Sequence, residues 1–155
     1  MKAHHYSLTV KWTGNTGEGT KGYKSYERSH EIMVDGKEVI SGSSDPAFLG
    51  DSTKHNPEDL LLASISSCHM LWYLHLCSDA GIVVSNYIDN AKGIMEETAD
   101  GGGKFTSIIL YPTVTLKNIA QQEQANALHS KANSMCFIAN SLNFKVQHQA
   151  TFIKE

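Results

Sequence analysis

Residues 56–81 read NPEDLLLASISSCHMLWYLHLCSDAG and decide the fold of this chain. Asn56 is a preferred N-cap residue, and Pro57 suits the first helical position because an N–H there has no partner. Two acids follow in the first turn, where they favour the helix dipole, and Gly81 is typical of a helix C-terminus. The stretch therefore predicts one long helix that ends at Gly81.

The middle of this helix is apolar enough to raise the question of a membrane span. Leu60 to Cys77 contains no Asp, Glu, Lys or Arg and is about as long as a short span. Three serines and two histidines interrupt it, and its flanks are acidic without an aromatic and cationic belt. We therefore expect a helix buried in a globular core or dimer, with no membrane partner.

Strand patterns and turn signals surround this helix. Alternating residues predict strands on both sides of it, and helical spacing of Ala125, Leu128 and Ala132 predicts a second helix. The predicted elements are strand 6–12, two strands within 23–40 around the turn Asp35-Gly36, strands 82–95 and 104–116, helix 119–135 and strand 144–153. This order, β-β-β-α-β-β-α-β, predicts a single α+β domain over residues 1–155 with antiparallel sheets.

Composition narrows the classes of function. The chain has 155 residues, a net charge of -3 and a pI near 6.2, which argue against a nucleic-acid-binding surface. The first six residues lack the apolar segment and cleavage site of a signal peptide. We therefore expect a cytoplasmic protein whose three cysteines start out reduced.

The three cysteines are Cys68, Cys77 and Cys136. Cys77 lies nine residues after Cys68, and at about 100° per residue it projects from the opposite face of the helix. These two thiols cannot bond within one helix. If two cysteines work together, Cys68 with Cys136 is the combination that helix geometry leaves open, and Cys77 is best interpreted as a small buried residue.

A reactive cysteine needs a group that favours its thiolate. Arg28 is the sole arginine, and a guanidinium stays charged when it is desolvated. In a strand, Tyr26, Arg28 and His30 would share one face, either lining a site or exposed to solvent. Glu58 could orient Arg28, or it could serve only the helix dipole.

The distance between Glu58 and Cys68 constrains any shared site. Ten residues at about 1.5 Å each separate them by roughly 15 Å along the helix axis. One pair of side chains cannot bridge that distance. The helix must bend near its start, or Glu58 and Arg28 must come from a second copy of the chain across a two-fold interface.

Several of these features resemble the OsmC/Ohr family of thiol-dependent hydroperoxide reductases. They are the block Asn56-Pro57-Glu58-Asp59-Leu60-Leu61, the cysteine ten residues after the glutamate, and a second cysteine ahead of Asn140-Ser141. The order of strands and helices agrees over nearly the whole chain. Where the family often has a proline directly after the second cysteine, this chain has Phe137.

The resemblance implies a fold, an activity and a set of site residues. Cys68 would attack the peroxide and become sulfenic acid, and Cys136 would resolve it as an intramolecular disulfide. An arginine, mapped to Arg28, would face the thiolate, and Glu58 would face the arginine. Family members are intertwined homodimers that reduce organic hydroperoxides and are restored by a lipoylated or other dithiol, so we expect no cofactor.

Other interpretations remain open. A sensor or apolar-ligand-binding protein on the same fold would not turn over, and a structural protein would have inert thiols. We expect His69 and His75 to be non-catalytic, and a zinc site from Cys68, Cys136 and His129 lacks a closely spaced ligand pair. Some apolar residues near the thiols could line a substrate pocket, although core packing is the simpler expectation for most of them: Ile65, Leu71, Trp72, Met135 and Phe137.

Overall fold

The computed structural model describes residues 2–155, and Met1 lies outside the described part. The chain has two compact units, residues 1–61 and residues 62–155. The long helix α1, Pro57–Asp79, runs across the division between them. With a second main helix and three small sheets, the predicted α+β class is confirmed.

The first unit contains a three-stranded antiparallel sheet in the order β1-β2-β3. Lys37 donates its N–H to the carbonyl of Val34 at 3.1 Å, and Gly36 has φ +71°, so the predicted Asp35-Gly36 hairpin is confirmed. The first two strands are shorter than predicted, since β1 is Thr9–Trp12 and β2 is His30–Met33. The third strand, β3, is Ile40–Gly42 and begins where the predicted range 23–40 ends.

Local hydrogen bonds fix both ends of α1. The side chain of Asn56 accepts the N–H of Asp59 at 2.7 Å, and the carboxylate of Asp59 accepts the N–H of Asn56 at 3.3 Å. At the other end, Gly81 has φ +67° and the N–H of Ile82 returns to the carbonyl of Cys77 at 2.9 Å. The predicted N-cap Asn56 and the predicted C-terminal cap Gly81 are therefore confirmed, and the hydrogen bonds are those of a capping box and a Schellman motif.

The second unit contains two three-stranded sheets with the orders β4-β7-β9 and β5-β6-β8. The pairs β4 with β7 and β5 with β6 are antiparallel, whereas β8 and β9 each join their sheet in parallel. The sheets are therefore mixed. The strands are β4 Val84–Asp89, β5 Lys92–Glu97, β6 Gly103–Leu110, β7 Pro112–Leu116, β8 Gln147–His148 and β9 Thr151–Lys154.

The prediction of single strands over 82–95, 104–116 and 144–153 is wrong, because each range forms two strands that belong to different sheets. Where the first two ranges each divide into two strands, the side chain of Asp89 accepts hydrogen bonds in place of a backbone carbonyl. Its Oδ1 accepts the N–H of Tyr111 at 2.7 Å, and its Oδ2 accepts the Ser66 hydroxyl at 2.5 Å. The following Pro112 has no N–H to donate, so the hairpin changes sheets there.

The second helix, α2, spans Gln122–Met135 and follows a 3-10 turn at Ile119–Gln121. The predicted helix 119–135 is therefore confirmed, with its first turn in the tighter form. Its buried residues are Ala125, His129 and Ala132. The core of the second unit combines these with one face of α1 and the inner strand β7: Tyr73, Leu76, Cys77, Ile82, Val114, Leu116, Ala125 and Ala132.

Candidate functional site

The second unit brings two thiols together. Cys68 lies in the middle of α1 and is half-buried, whereas Cys136 directly follows α2 and is fully buried. Both are free thiols. Burial, and then interaction with the neighbouring Cys68 side chain, raise the pKa of the Cys136 thiol to about 11. Cys136 is therefore protonated at neutral pH, and Cys68 is the more accessible of the two sulfurs.

Hydrogen bonds hold the backbone after Cys136 in a turn. The N–H of Ala139 points to the sulfur of Cys136 at 3.4 Å, and the N–H of Asn140 donates to the Cys136 carbonyl at 3.0 Å. Residues 139–141 then form a 3-10 turn. The turn after Cys136 therefore forms with Phe137 at the position where the family often has a proline.

Apolar side chains next to the thiols are exposed. Trp72, one turn after Cys68, meets Phe137 edge to face with ring centroids 5.7 Å apart. Phe137 is 69% exposed and Leu71 63%, and Met135 is exposed too, whereas Ile65 is fully buried. Core packing is therefore the wrong expectation for Leu71, Met135 and Phe137, because α1 and the end of α2 leave them uncovered.

Arg28 lies in the first unit, in the loop that precedes β2. Its guanidinium donates to the carbonyls of Tyr26 at 2.5 Å and Tyr23 at 2.6 Å. It also lies 4.3 Å from the centroid of each of these two tyrosine rings. The prediction that Tyr26, Arg28 and His30 share a strand face is wrong, because β2 begins only at His30 and this guanidinium organises its own loop.

Glu58 lies in the first turn of α1. Asp59, not Glu58, makes the side-chain contact with Asn56 that caps the helix. The Oε2 atom of Glu58 is buried and has no hydrogen-bond partner among residues 2–155. A buried carboxylate oxygen without a partner is costly, so its position calls for a donor or a cation.

The remaining thiol is packed in the core of the second unit. Cys77 is 1% exposed, and burial raises the pKa of its thiol. This agrees with the interpretation of Cys77 as a small buried residue.

The two histidines of α1 have different surroundings. His69 is buried and hydrogen-bonded to His129, as expected of a packed histidine, and His75 is exposed beside Asp79. Within the described chain, no group of three His, Cys, Asp or Glu side chains is arranged to hold a metal ion. Pattern reasoning missed that His129 and His148 join His69 in one cluster, because no local signal links residues 60 positions apart.

By length and composition, α1 could cross a membrane, with a mean hydropathy of 1.4 over its most apolar stretch. This is weak evidence, since the core helix of a soluble protein passes the same test. The buried stripe of α1, which includes Ile65, His69 and Tyr73, follows helical spacing and faces protein.

Comparisons with known proteins agree with this architecture. An OsmC-like protein of unknown function from Vibrio cholerae matches with a TM-score of 0.85 and 29% identity, over 96% of this chain and 99% of that one. An organic hydroperoxide resistance protein from Elizabethkingia anophelis matches with a TM-score of 0.69 and 20% identity over the whole of both chains, which shows a shared fold.

Sequence comparison leads to the same group. The uncharacterized protein YmaD of Bacillus subtilis is 26% identical over 153 residues, which are 96% of this chain and 93% of YmaD. Residues 50–150 match the family described as OsmC-like protein, whose members are generally soluble. The range covers both main helices, Cys68 and Cys136, and strands β4 to β8, and the chain belongs to the OsmC-like protein family.

Proposed function

We propose that this protein is a thiol-dependent peroxidase that reduces organic hydroperoxides, with Cys68 as the attacking thiol and Cys136 as the resolving thiol. The observation that carries the proposal is the side-by-side placement of a half-buried and a fully buried thiol. Membership of the OsmC-like family, together with the fold shared with a hydroperoxide resistance protein, supports a redox-related role.

The first step uses the difference in exposure between the two thiols. The thiolate of Cys68 attacks the terminal oxygen of the hydroperoxide, the O–O bond breaks, and the alkoxide leaves as an alcohol after taking a proton. Cys68 becomes a sulfenic acid. Because Cys136 is buried and keeps its proton, peroxide reaches Cys68 first.

The second step uses the proton on Cys136. The sulfur of Cys136 attacks the sulfenic sulfur, and the hydroxyl group leaves with that proton as water, which gives a Cys68–Cys136 disulfide. A dithiol of the lipoyl type then reduces the disulfide by thiol exchange. Each cycle converts one hydroperoxide and one dithiol into an alcohol, a water and a cyclic disulfide.

Exposed apolar side chains next to the thiols favour a substrate with an apolar organic group. Phe137, Leu71 and Met135 lie beside or one turn from a thiol and present apolar surface to solvent. An alkyl or aryl hydroperoxide buries its organic group against such a surface, whereas hydrogen peroxide has no such group to bury. We therefore expect a preference for organic hydroperoxides.

Arg28 and Glu58 are proposed to prepare the thiolate in a homodimer. The buried Oε2 of Glu58 has no partner among residues 2–155, and the guanidinium of Arg28 from the same copy would supply one. This pair would then face Cys68 of a second copy across a two-fold interface. This requires Arg28 to leave the carbonyls of Tyr23 and Tyr26, at the cost of the contacts it makes in its own loop. The soluble homodimer is expected in the reducing cytoplasm, where dithiols restore the enzyme.

Exposed apolar residues of the first unit also favour a dimer. Along β1, Val10 is 59% exposed and Trp12 is 42% exposed, and Leu8 just before the strand is 60% exposed. A strand with apolar side chains in solvent gains free energy from a covering surface. The family resemblance implies that a second copy of the chain covers these side chains.

The test is steady-state consumption of cumene hydroperoxide with dihydrolipoamide as reductant. Turnover should vanish in Cys68→Ser and become a single event in Cys136→Ser, while Cys77→Ser should match the parent. A Cys68–Cys136 disulfide should appear in the parent after one equivalent of peroxide. Undiminished turnover in Cys68→Ser, or intact thiols in a parent that does not turn over, would refute the proposal.

A second candidate is a sensor or apolar-ligand-binding protein that does not turn over. The contacts that hold Arg28 within its own loop favour it, because an arginine engaged there is not free to face a thiolate. In the same assay, a sensor would be oxidised once and would then stop in the presence of dihydrolipoamide.

A further inference from the structure

A buried histidine cluster joins three elements of the second unit. His69 of α1 and His129 of α2 are 1% and 0% exposed, and Nε2 of His69 lies 3.0 Å from Nδ1 of His129. His148 of β8 meets both rings edge on, with centroids 5.8 Å and 5.6 Å away. None of these groups has a part in the proposed peroxide chemistry.

The ring geometry shows a directed hydrogen bond. The rings of His69 and His129 are parallel within 1° and their centroids are 5.3 Å apart, the separation of two rings joined edge to edge through a nitrogen pair. Tyr73 stacks on the face of His129, with centroids 3.8 Å apart and planes 8° apart. The stack fixes the plane of His129 and so the direction of its Nδ1.

This hydrogen bond links the two helices that carry the thiols. His69 directly follows Cys68 on α1, and His129 lies seven residues, about two helical turns or 10 Å, before Cys136, which directly follows α2. The thiol pair is one contact between α1 and the end of α2, and the histidine pair is another. The two contacts start from neighbouring residues of α1 and reach points about two turns apart along α2, so together they fix the direction of α2 against α1, whereas one contact would let α2 rotate about it.

We infer that the His69–His129 hydrogen bond is a positioning element that keeps the sulfur of Cys136 in bonding reach of Cys68. The claim that this hydrogen bond helps Cys136 to resolve the sulfenic acid rests on the proposed function. The claim that it holds the two sulfurs close together does not, because formation of the Cys68–Cys136 disulfide can be measured with any oxidant. Neither histidine touches the reacting atoms in this role.

Packing alone does not account for two polar rings here. Nδ1 of His69 and Nε2 of His129 are buried without hydrogen-bond partners in the described chain. An apolar side chain would avoid that cost. The hydrogen bond supplies a fixed direction and length between the helices, which an apolar contact does not.

The test measures the effective concentration of the thiol pair. Reduced protein in a Cys77→Ser background is equilibrated with glutathione and glutathione disulfide, so that two protein thiols are oxidised as one glutathione disulfide is reduced to two glutathiones. Removal of the bond by His69→Leu or His129→Leu should lower the equilibrium constant for the Cys68–Cys136 disulfide by at least about tenfold. The matched control Ile108→Ala removes buried volume from β6, outside the core cluster that α1, β7 and α2 share, and should leave this constant unchanged.

Conservative variants keep the test valid if the leucine variants do not fold. His69→Gln retains a polar atom near the position of Nε2, and His129→Asn retains one near the position of Nδ1, so each should hold the constant within about threefold of the parent. In the parent itself, exchange of the imidazole proton shared by the pair should slow when the disulfide forms, because the coupling is reciprocal.

Three outcomes overturn the inference. They are leucine variants whose equilibrium constant equals the parent's, an Ile108→Ala variant whose constant falls as much as theirs, or an imidazole proton exchange rate that does not change when the disulfide forms. Failure of the proposed function is distinguishable. In that case cumene hydroperoxide is not turned over, while the glutathione equilibrium still separates the histidine variants from the control.

Discussion

The buried histidine pair makes the stability of the second unit depend on pH. Burial, followed by the charge of neighbouring histidines, lowers the pKa of His69 from 6.5 to about 4 and that of His129 to about 3. Burial lowers the pKa of His148 in the same direction. The rings that contact the pair are those of His148, Tyr73 and Phe152, and none of them carries a carboxylate that could offset a positive charge.

The size of the effect follows from proton linkage. The folded state keeps both histidines neutral, so their contribution is fully present above about pH 6.5 and is lost as the pH falls toward 4. At about pH 5, each of the two histidines is protonated in the unfolded state and neutral in the folded state. This difference lowers the free energy of unfolding by about 2 kcal/mol for each histidine. The pair therefore costs about 4 kcal/mol, a figure that barely depends on how far below 5 the folded values lie.

Urea unfolding between pH 7 and 5, at one protein concentration, measures this loss. The parent should lose about 4 kcal/mol of unfolding free energy, and His129→Asn should lose about 2 kcal/mol less over the same range. His4→Gln, which changes an exposed residue, should follow the parent. An unfolding free energy that is flat between pH 7 and 5, or the same slope in the parent and His129→Asn, would refute the reasoning.

Three further changes have consequences that the structure defines. Gly81→Ala forces a side chain into a φ of +67° and should cost about 1 kcal/mol in urea unfolding, whereas Gly22→Ala, at a position without positive φ, should cost little. Asp89→Ala loses the acceptors of both the Tyr111 N–H and the Ser66 hydroxyl, and thermal unfolding should show a loss of about 2–4 kcal/mol, against about 1–2 kcal/mol for Ser66→Ala. Arg28→Lys keeps the charge but gives up the two-carbonyl clamp and the tyrosine sandwich, so limited proteolysis should cut the loop at residues 23–28 faster, and kcat/KM for cumene hydroperoxide should fall at least about tenfold.

The parts of the fold that depend on local chemistry were predictable. The ends of α1 depend on residues within a few positions of each other, Asn56 with Asp59 and Cys77 with Ile82, so the sequence pattern and the hydrogen bonds agree. The Asp35-Gly36 turn is local in the same sense. Helix geometry alone also set Cys77 apart from Cys68, and the structure places Cys136 beside Cys68.

The parts that depend on distant partners were not predictable. The apolar alternation of residues 82–95 and 104–116 continues through the points where the hairpin changes sheets, because the cause of the change is Asp89 capturing the N–H of a residue 22 positions away. Arg28 was expected on a strand for the same reason: alternation is visible in sequence, whereas capture of a guanidinium by two carbonyls of its own loop is not.

Each unit exposes apolar side chains, and the first also has an unpaired buried oxygen in the described chain; both features favour contact with a second copy. In the first unit, β1 exposes apolar side chains and Glu58 has a buried oxygen without a partner in the described chain. In the second unit, Leu71 and Phe137 expose apolar surface beside a thiol pair, and we infer that the His69–His129 hydrogen bond holds this pair in place. In the proposed mechanism, the thiol chemistry is local to the second unit, whereas the activating charge and the apolar cover come from a second copy. Loss of the proposed dimer on dilution should therefore weaken attack on the peroxide but leave formation of the Cys68–Cys136 disulfide by glutathione disulfide intact. Measuring both reactions over a range of protein concentrations separates the two effects.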